Sequence, residues 1–142
     1  MFEECDFLAK MPKEIMELFN DPASIKFLAT VDSQGKPNVV VIASLVAIND
    51  ETLAFADMMI NKTKRNLMTT KKVAATVYKP TMSSFQVKGT FLGFVREGPL
   101  VEMFNMPDPI RLNTVSNVDQ VGLIKVEEVY FAQMPFPGRR IA

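Results

Sequence analysis

Most of the chemistry this sequence can offer lies in eleven consecutive residues, Asp57-Met58-Met59-Ile60-Asn61-Lys62-Thr63-Lys64-Arg65-Asn66-Leu67. A strand is expected to end at Asp57 and a helix to begin at Lys62, which places Lys62, Lys64 and Arg65 in one turn. The N-terminus of a helix carries about half a positive charge, so each cation sits there at a cost of roughly 0.3 kcal/mol or more. A phosphate would resolve that conflict by accepting the free N–H groups of the first turn, the Thr63 hydroxyl and the Lys62 ammonium together. The same residues also make a solvated basic helix with Asn61 as its N-cap. The segment by itself leaves both readings open.

A second stretch, Val39-Val40-Val41-Ile42-Ala43-Ser44, has no glycine-rich phosphate loop and so is neither a Rossmann nor a Walker fingerprint. Any use it has is through its backbone. A flat ring needs an apolar wall and main-chain donors or acceptors at its edge, and a barrel strand beside a phosphate site offers both. The plainer reading is a buried strand that touches no ligand. Elsewhere the chain excludes more than it suggests. It has no His, and its one Cys, Cys5, has no metal-ligand spacing around it. Zinc sites, His-ligated haem and Ser-His-Asp or Cys-His mechanisms have nothing to build on, and no metal is expected.

These residues need strands and short helices to position them. Residues 12–20 read as a helix, with Pro12 in its first turn and Ile15, Met16, Leu18 and Phe19 clustered along it. Apolar residues then alternate as Ile25, Phe27, Ala29 and Val31. Ser33-Gln34-Gly35-Lys36 turns the chain into an apolar run over residues 37–48, which is a hairpin signal. A turn at Asn49-Asp50-Glu51 leads to a strand over 52–57, and a helix over 62–72 crosses to a strand over 73–78. Residues 83–95 alternate Phe85, Val87, Gly89, Phe91, Gly93 and Val95, a long strand bent at its two glycines. One short helix over 99–105 and a last strand over 121–133 complete the set. Six strands in adjacent hairpins with few helices argue for a mainly β, α+β fold closed into an antiparallel barrel.

At 142 residues and 48% hydrophobic composition, the chain is expected to form one domain over residues 1–142 with a sizeable core. Its 16 basic and 16 acidic residues balance, so no global field draws it to nucleic acid or anionic lipid. Glu3, Glu4 and Asp6 stand where an export signal would carry positive charge, and a lone cysteine suits a reducing compartment; a cytoplasmic location is expected. The longest apolar run is about half the ~20 residues of a spanning helix, so no membrane segment is expected.

The stretch from Ile25 to Ile42 resembles the first hairpin of the pyridoxamine 5′-phosphate oxidase-like flavoproteins, the FMN-binding split barrels. Asn61-Lys62-Thr63-Lys64-Arg65-Asn66-Leu67 is similar to the basic helix start by which that family holds the FMN phosphate. Val73-Ala74-Ala75-Thr76-Val77-Tyr78 and Phe85-Gln86-Val87-Lys88-Gly89 follow at family-like intervals, so the resemblance covers residues 12–95. It implies a six-stranded split barrel and FMN as cofactor. Lys62 and Thr63 would hold the phosphate, Val40, Val41 and Ile42 would line the flavin, and Asp57 and Met58 would flank it. It also implies a homodimer with two such sites at the interface, and it puts the phosphate reading of Lys62 and Thr63 ahead of the solvated helix. True pyridoxamine phosphate oxidases carry basic and His residues near the C-terminus around the pyridoxal substrate. This chain ends in Phe136-Pro137-Gly138-Arg139-Arg140-Ile141-Ala142, so that particular activity is not expected.

The function implied is an FMN-dependent oxidoreductase or electron-transfer protein, with the flavin supplying the redox chemistry and no side chain singled out as acid or base. A different class is a non-catalytic flavin carrier or ligand-binding dimer. A deazaflavin-binding relative, with Lys71, Lys72 and Lys79 as added cations, is a third.

Overall fold

A computed structural model describes residues 10–57, 61–80, 83–106, 118–133 and 135–142. Seven strands, β1 (Ile25–Val31), β2 (Pro37–Val41), β3 (Val46–Asn49), β4 (Thr52–Ala56), β5 (Lys72–Lys79), β6 (Ser83–Val95) and β7 (Val121–Phe131), form one sheet in the order β2-β1-β5-β6-β7-β4-β3. All pairings are antiparallel. Three helices accompany them: α1 (Lys13–Phe19), α2 (Asn61–Thr69) and α3 (Pro99–Asn105).

The topology forces the sheet to close. β2 and β3 are its two edges, yet only residues 42–45 separate them. A flat seven-stranded sheet would hold its edges about 29 Å apart, whereas five peptide links reach at most about 18 Å. The sheet therefore curls until its edges approach, and its concave face becomes the core of a split barrel. That core takes Leu28, Leu53, Phe55, Val77, Val87, Phe91, Ile124 and Val129, with Ile15 and Phe19 of α1 and Leu67 of α2. Phe55, Phe91 and Phe94 meet with centroids 4.9–6.4 Å apart, the range in which tilted and edge-to-face rings attract. α3 packs Val101 and Phe104 into a smaller cluster with Val46, Ala54, Ala56, Val118 and Val121. The C-cap residue of α1, Asn20, exchanges hydrogen bonds with the main chain of Ala47, which covers the β3 edge.

Two expectations change. The run over residues 37–48 is two strands, because Ile42 and Leu45 both enter the core although a straight strand would send residues of opposite parity to opposite faces. The turn between them is pinned by Ser44, whose hydroxyl accepts the Ala56 N–H at 3.0 Å. This break adds the seventh strand. Second, α2 ends at Thr69, since Lys71 takes a left-handed φ of 62° and stops the helix; Lys72 is the first residue of β5. The alternating apolar residues of β1, Ile25-Phe27-Ala29-Val31, point outward, while Lys26, Leu28 and Thr30 are buried.

The long strand β6 bends where its glycines sit. Its register with β7 shifts at Lys88/Gly89 and again at Phe91/Gly93. A Cβ on Gly89 would lie 2.0 Å from the Lys125 carbonyl oxygen, and Gly93 has a φ of 133°, so each position requires glycine.

Candidate functional site

Helix α2 divides its residues by face. Thr63, Asn66 and Leu67 are buried, while Asn61, Lys62 and Arg65 are exposed. Residues three and four apart share a face, so Lys62 and Arg65 stand together on the outside and Thr63 and Asn66 together on the inside. The inner side docks by polar bonds as well as by Leu67. Asn38 Nδ2 of β2 donates to Thr63 Oγ1 at 3.2 Å, and Asn66 Nδ2 donates to Thr30 Oγ1 of β1 at 3.0 Å. The Thr70 hydroxyl, just past the helix, donates to the Val31 carbonyl at 2.9 Å.

Of the three cations in the first turn, Lys64 is already engaged. Its ammonium lies 2.9 Å from Asp57 Oδ2 and 5.4 Å from the centroid of the Phe94 ring. The same Asp57 oxygen accepts Gln120 Nε2 at 2.6 Å, and the Asp57 N–H donates to the Gln120 carbonyl at 3.1 Å. Asp57 thus ties the end of β4 to α2 and to the residue before β7. Lys62 and Arg65 form no ion pair among the described residues. They leave two positive charges at the positive end of a helix.

On β2 the three predicted valine and isoleucine positions separate. Val41 is 66% exposed, and Val39 is 62% exposed on the same outward face. Val40 is half-buried against the core and Ile42 is buried in it, so neither offers a side chain to an outer ligand. Main-chain directions follow the same alternation. The Ile42 N–H donates to the Lys26 carbonyl and the Asp32 N–H donates to the Lys36 carbonyl, which makes the even-numbered residues of β2 the hydrogen-bonded partners of β1. The N–H and C=O groups of Val39 and Val41 therefore point along the free edge of the sheet.

The structure thus brings Asp57, Lys62 and Thr63 together around the start of α2, with Val39–Val41 on the strand that Thr63 contacts through Asn38. Thr63, 1% exposed, has its hydroxyl turned inward to Asn38, which leaves its main-chain N–H as its contribution to the first turn. Met58 lies outside the described residues. Three residues that sequence reasoning missed complete the arrangement: Asn38, Thr30 and Gln120. The only advance signal for the first two was polarity at the inward positions of β1 and β2. Gln120, in an irregular segment, gave none. Among the described residues no three His, Cys, Asp or Glu side chains come together to hold a metal, and no helix is long and apolar enough to cross a membrane.

Known proteins resemble this chain in sequence or in fold. An uncharacterised protein of Methanocaldococcus jannaschii is 27% identical over 140 residues, covering 96% of this chain and 91% of that protein. HupZ of Group A Streptococcus superposes with a TM-score of 0.75 at 21% identity, covering 93% of this chain and 99% of that one. An FMN-binding protein from Syntrophomonas wolfei gives a TM-score of 0.61 at 24% identity, covering 82% and 85%. The same fold is found in an F420 reductase, with a TM-score of 0.59 at 23% identity over 82% of this chain and 94% of that one. It recurs in HutZ, the heme storage protein of Vibrio cholerae, with a TM-score of 0.59 at 20% identity over 86% and 94%. At these identities the likeness is one of fold. A sequence profile reaches further: that of pyridoxamine 5′-phosphate oxidase matches residues 11–133, and this chain belongs to that family.

Proposed function

We propose that this chain binds FMN, with the phosphate at the start of α2 and the ring along the free edge of β2. The observation that carries the reading is the pair of exposed cations, Lys62 and Arg65, without an ion pair among the described residues, at the start of a helix whose third cation is spent on Asp57. In that reading Lys62 and the first-turn N–H groups, that of Thr63 included, hold the phosphate. Val39 and Val41 offer apolar side chains and edge-directed N–H and C=O groups to the ring, with Val40 and Ile42 supporting them from the core. Asp57, held by its bonds to Lys64 and Gln120, flanks the site by fixing the chain that leads to Met58. Bound FMN would supply hydride or single-electron transfer, and no side chain of the site is assigned as acid or base. The protein would then serve as an oxidoreductase or electron carrier, and the balanced charge and lone thiol suit a cytoplasmic protein that binds no nucleic acid.

We further propose a homodimer formed through the outward face of β2, β1 and β5. Its exposed members Val39, Val41, Ile25 and Tyr78 are continuous with Phe27, Ala29 and Val31. A shallow groove of about 410 Å³ continues this face, floored by Ala29, Ala74 and Gly89 and walled by Lys72, Lys88, Glu127 and Glu128. A second copy laid on the face would enclose the groove and the β2 edge together.

Titration of the protein with FMN and with riboflavin tests the phosphate assignment, because riboflavin lacks only the phosphate. Tighter binding of FMN by tenfold or more is expected; equal affinity would place the ring, if it binds, without help from α2. A deazaflavin is the second reading, favoured by the exposed Lys71 and Lys72 and by the F420 reductase of the same fold. The absorption spectrum of the cofactor released from purified protein separates the two.

A further inference from the structure

Towards its turn, the inner surface of the β1–β2 hairpin changes from apolar Leu28 and Val40 to polar Thr30 and Asn38. Thr30 of β1 and Asn38 of β2 are cross-strand partners in the ladder. Thr63 and Asn66 are one turn apart on the buried face of α2. Two hydrogen bonds join the pairs, Asn38 to Thr63 at 3.2 Å and Asn66 to Thr30 at 3.0 Å. The four side chains therefore form a closed quadrilateral whose sides are a strand pairing, a helical turn and two side-chain bonds.

Such a figure fixes what an apolar contact leaves free. Hydrophobic packing is non-directional, and a helix resting on Leu67 alone can turn about its axis or slide at little cost. Two directional bonds at different heights along the axis set both rotation and height. Polar groups are expensive to bury and add little net stability when paired, so their value here lies in geometry. The Asn38–Thr63 bond also lies between the two halves of the proposed site. Asn38 precedes Val39, whose main chain faces the free edge, and Thr63 follows Lys62.

We propose that Asn38 is a positioning residue, holding the first turn of α2 at a fixed place against the β2 edge so that one ligand can reach a phosphate site and a ring site together. The proposal rests on the FMN reading given above. Without Asn38, the second bond, Leu67 and the Thr70 hydroxyl still dock the rest of the helix, and only its N-terminal turn is released. The loss should fall on the phosphate end of a ligand and spare its ring end.

The test compares wild type, Asn38→Ala, Thr63→Val and Thr63→Ser, measuring affinity for FMN and for riboflavin and the amide hydrogen exchange of residues 61–69. Asn38→Ala and Thr63→Val are expected to weaken FMN about tenfold while changing riboflavin by less than about threefold. Exchange should quicken at residues 65 and 66, whose N–H groups bond back to the first turn, and not at 68 and 69. Thr63→Ser keeps the accepting hydroxyl and should hold exchange at residues 65 and 66 at the wild-type rate. The Asn38→Ala, Thr63→Val double variant should lose no more than either single one. Parallel losses for FMN and riboflavin, or exchange unchanged at 65 and 66, would reduce Asn38 to a structural residue. Thr63→Val, nearly isosteric, carries the test if Asn38→Ala does not fold. A wild type that prefers FMN, joined to an Asn38→Ala that keeps the full preference, overturns the positioning role alone; a wild type with equal affinities overturns the phosphate reading and this proposal with it.

Discussion

Three cations enter α2 within four residues, and the fold treats them differently. Lys64 folds back onto Asp57 and the Phe94 ring, while Lys62 and Arg65 stay in solvent. The sequence displayed the conflict between these charges and the helix dipole, but not which charge would be neutralised, because Asp57 Oδ2 is brought to Lys64 by tertiary structure. Lys62→Ala is expected to weaken FMN by about tenfold to a hundredfold, the roughly 1.5–3 kcal/mol of a charge-assisted hydrogen bond, with riboflavin binding little changed. Lys13→Ala, at an exposed position of α1, serves as the equal-charge control and should leave both ligands unaffected; calorimetry on the two folded variants decides. Lys26 makes a second residue-level prediction. It is 4% exposed, gives its ammonium to the Phe19 carbonyl at 3.2 Å at the end of α1, and has Asp21 as its nearby negative charge. Burial pushes its pKa below the ordinary 10.5, with Asp21 opposing the shift. Between the folded value and 10.5 the unfolded chain therefore holds more protons, so this group makes stability rise with pH there. Lys26→Met removes the buried charge. Its stability relative to wild type should be most favourable at pH 7 and should decline toward pH 10 in paired urea titrations; a difference constant with pH would show that burial of the ammonium is not what sets it.

At the scale of elements, the sequence was most legible where local signals and packing agreed. The strand over 83–95 and the helix over 99–105 fall at their expected bounds, since β6 alternates around two glycines and α3 opens with Pro99. Local signals failed where the barrel closes. Nothing between Pro37 and Ile48 marks a turn, because the break at Ala43-Ser44 is imposed by the need to seat Ile42 and Leu45 in one core and is held by a hydroxyl twelve residues from its partner. The end of α2 was overrun for a related reason: Lys71 is a non-glycine residue in a left-handed conformation, which composition does not announce. Gly122 shows how closely the elements fit. A Cβ there would lie 2.2 Å from Cζ of Phe55, a fully buried ring that meets Phe91 and Phe94. Gly122→Ala must displace that ring and should cost about 1–3 kcal/mol, as overpacked cores do. Thermal unfolding of the variant within 1 °C of wild type would mean that the aromatic cluster yields more easily than its packing indicates.

For the molecule as a whole, the outward apolar face of β1 is the most informative feature. Strict alternation of apolar residues identifies a face that avoids water, without saying whether the barrel interior or a partner covers it. The fold turns that face outward and places it beside Val39 and Val41, two large hydrophobic side chains about two-thirds exposed, at 62% and 66%. Single exposed apolar residues are ordinary, whereas a continuous stripe over three neighbouring strands marks an interaction surface. A two-fold axis across it would set the same patch on both sides, and the lysines and glutamates bordering the groove make the surface able to pair with itself. Val41→Glu places a carboxylate within the stripe. Burying it unpaired costs about 2 kcal/mol or more, and a symmetric dimer incurs that cost twice, so self-association should weaken by about a thousandfold. Leu92→Glu, at a side chain 56% exposed beyond the last β5–β6 pair, adds the same charge away from the face and should not disturb association. Light scattering at micromolar concentration should report about twice 15.9 kDa for wild type and for Leu92→Glu, and 15.9 kDa for Val41→Glu. FMN titration of the same samples then asks whether the site is shared. Loss of FMN binding in a folded, monomeric Val41→Glu fits either a shared site or a contact of Val41 with the ring, and Ile25→Glu, on the same face but one strand away from the β2 edge, separates the two. A monomeric Ile25→Glu that still binds FMN as wild type does would assign the whole site to one chain.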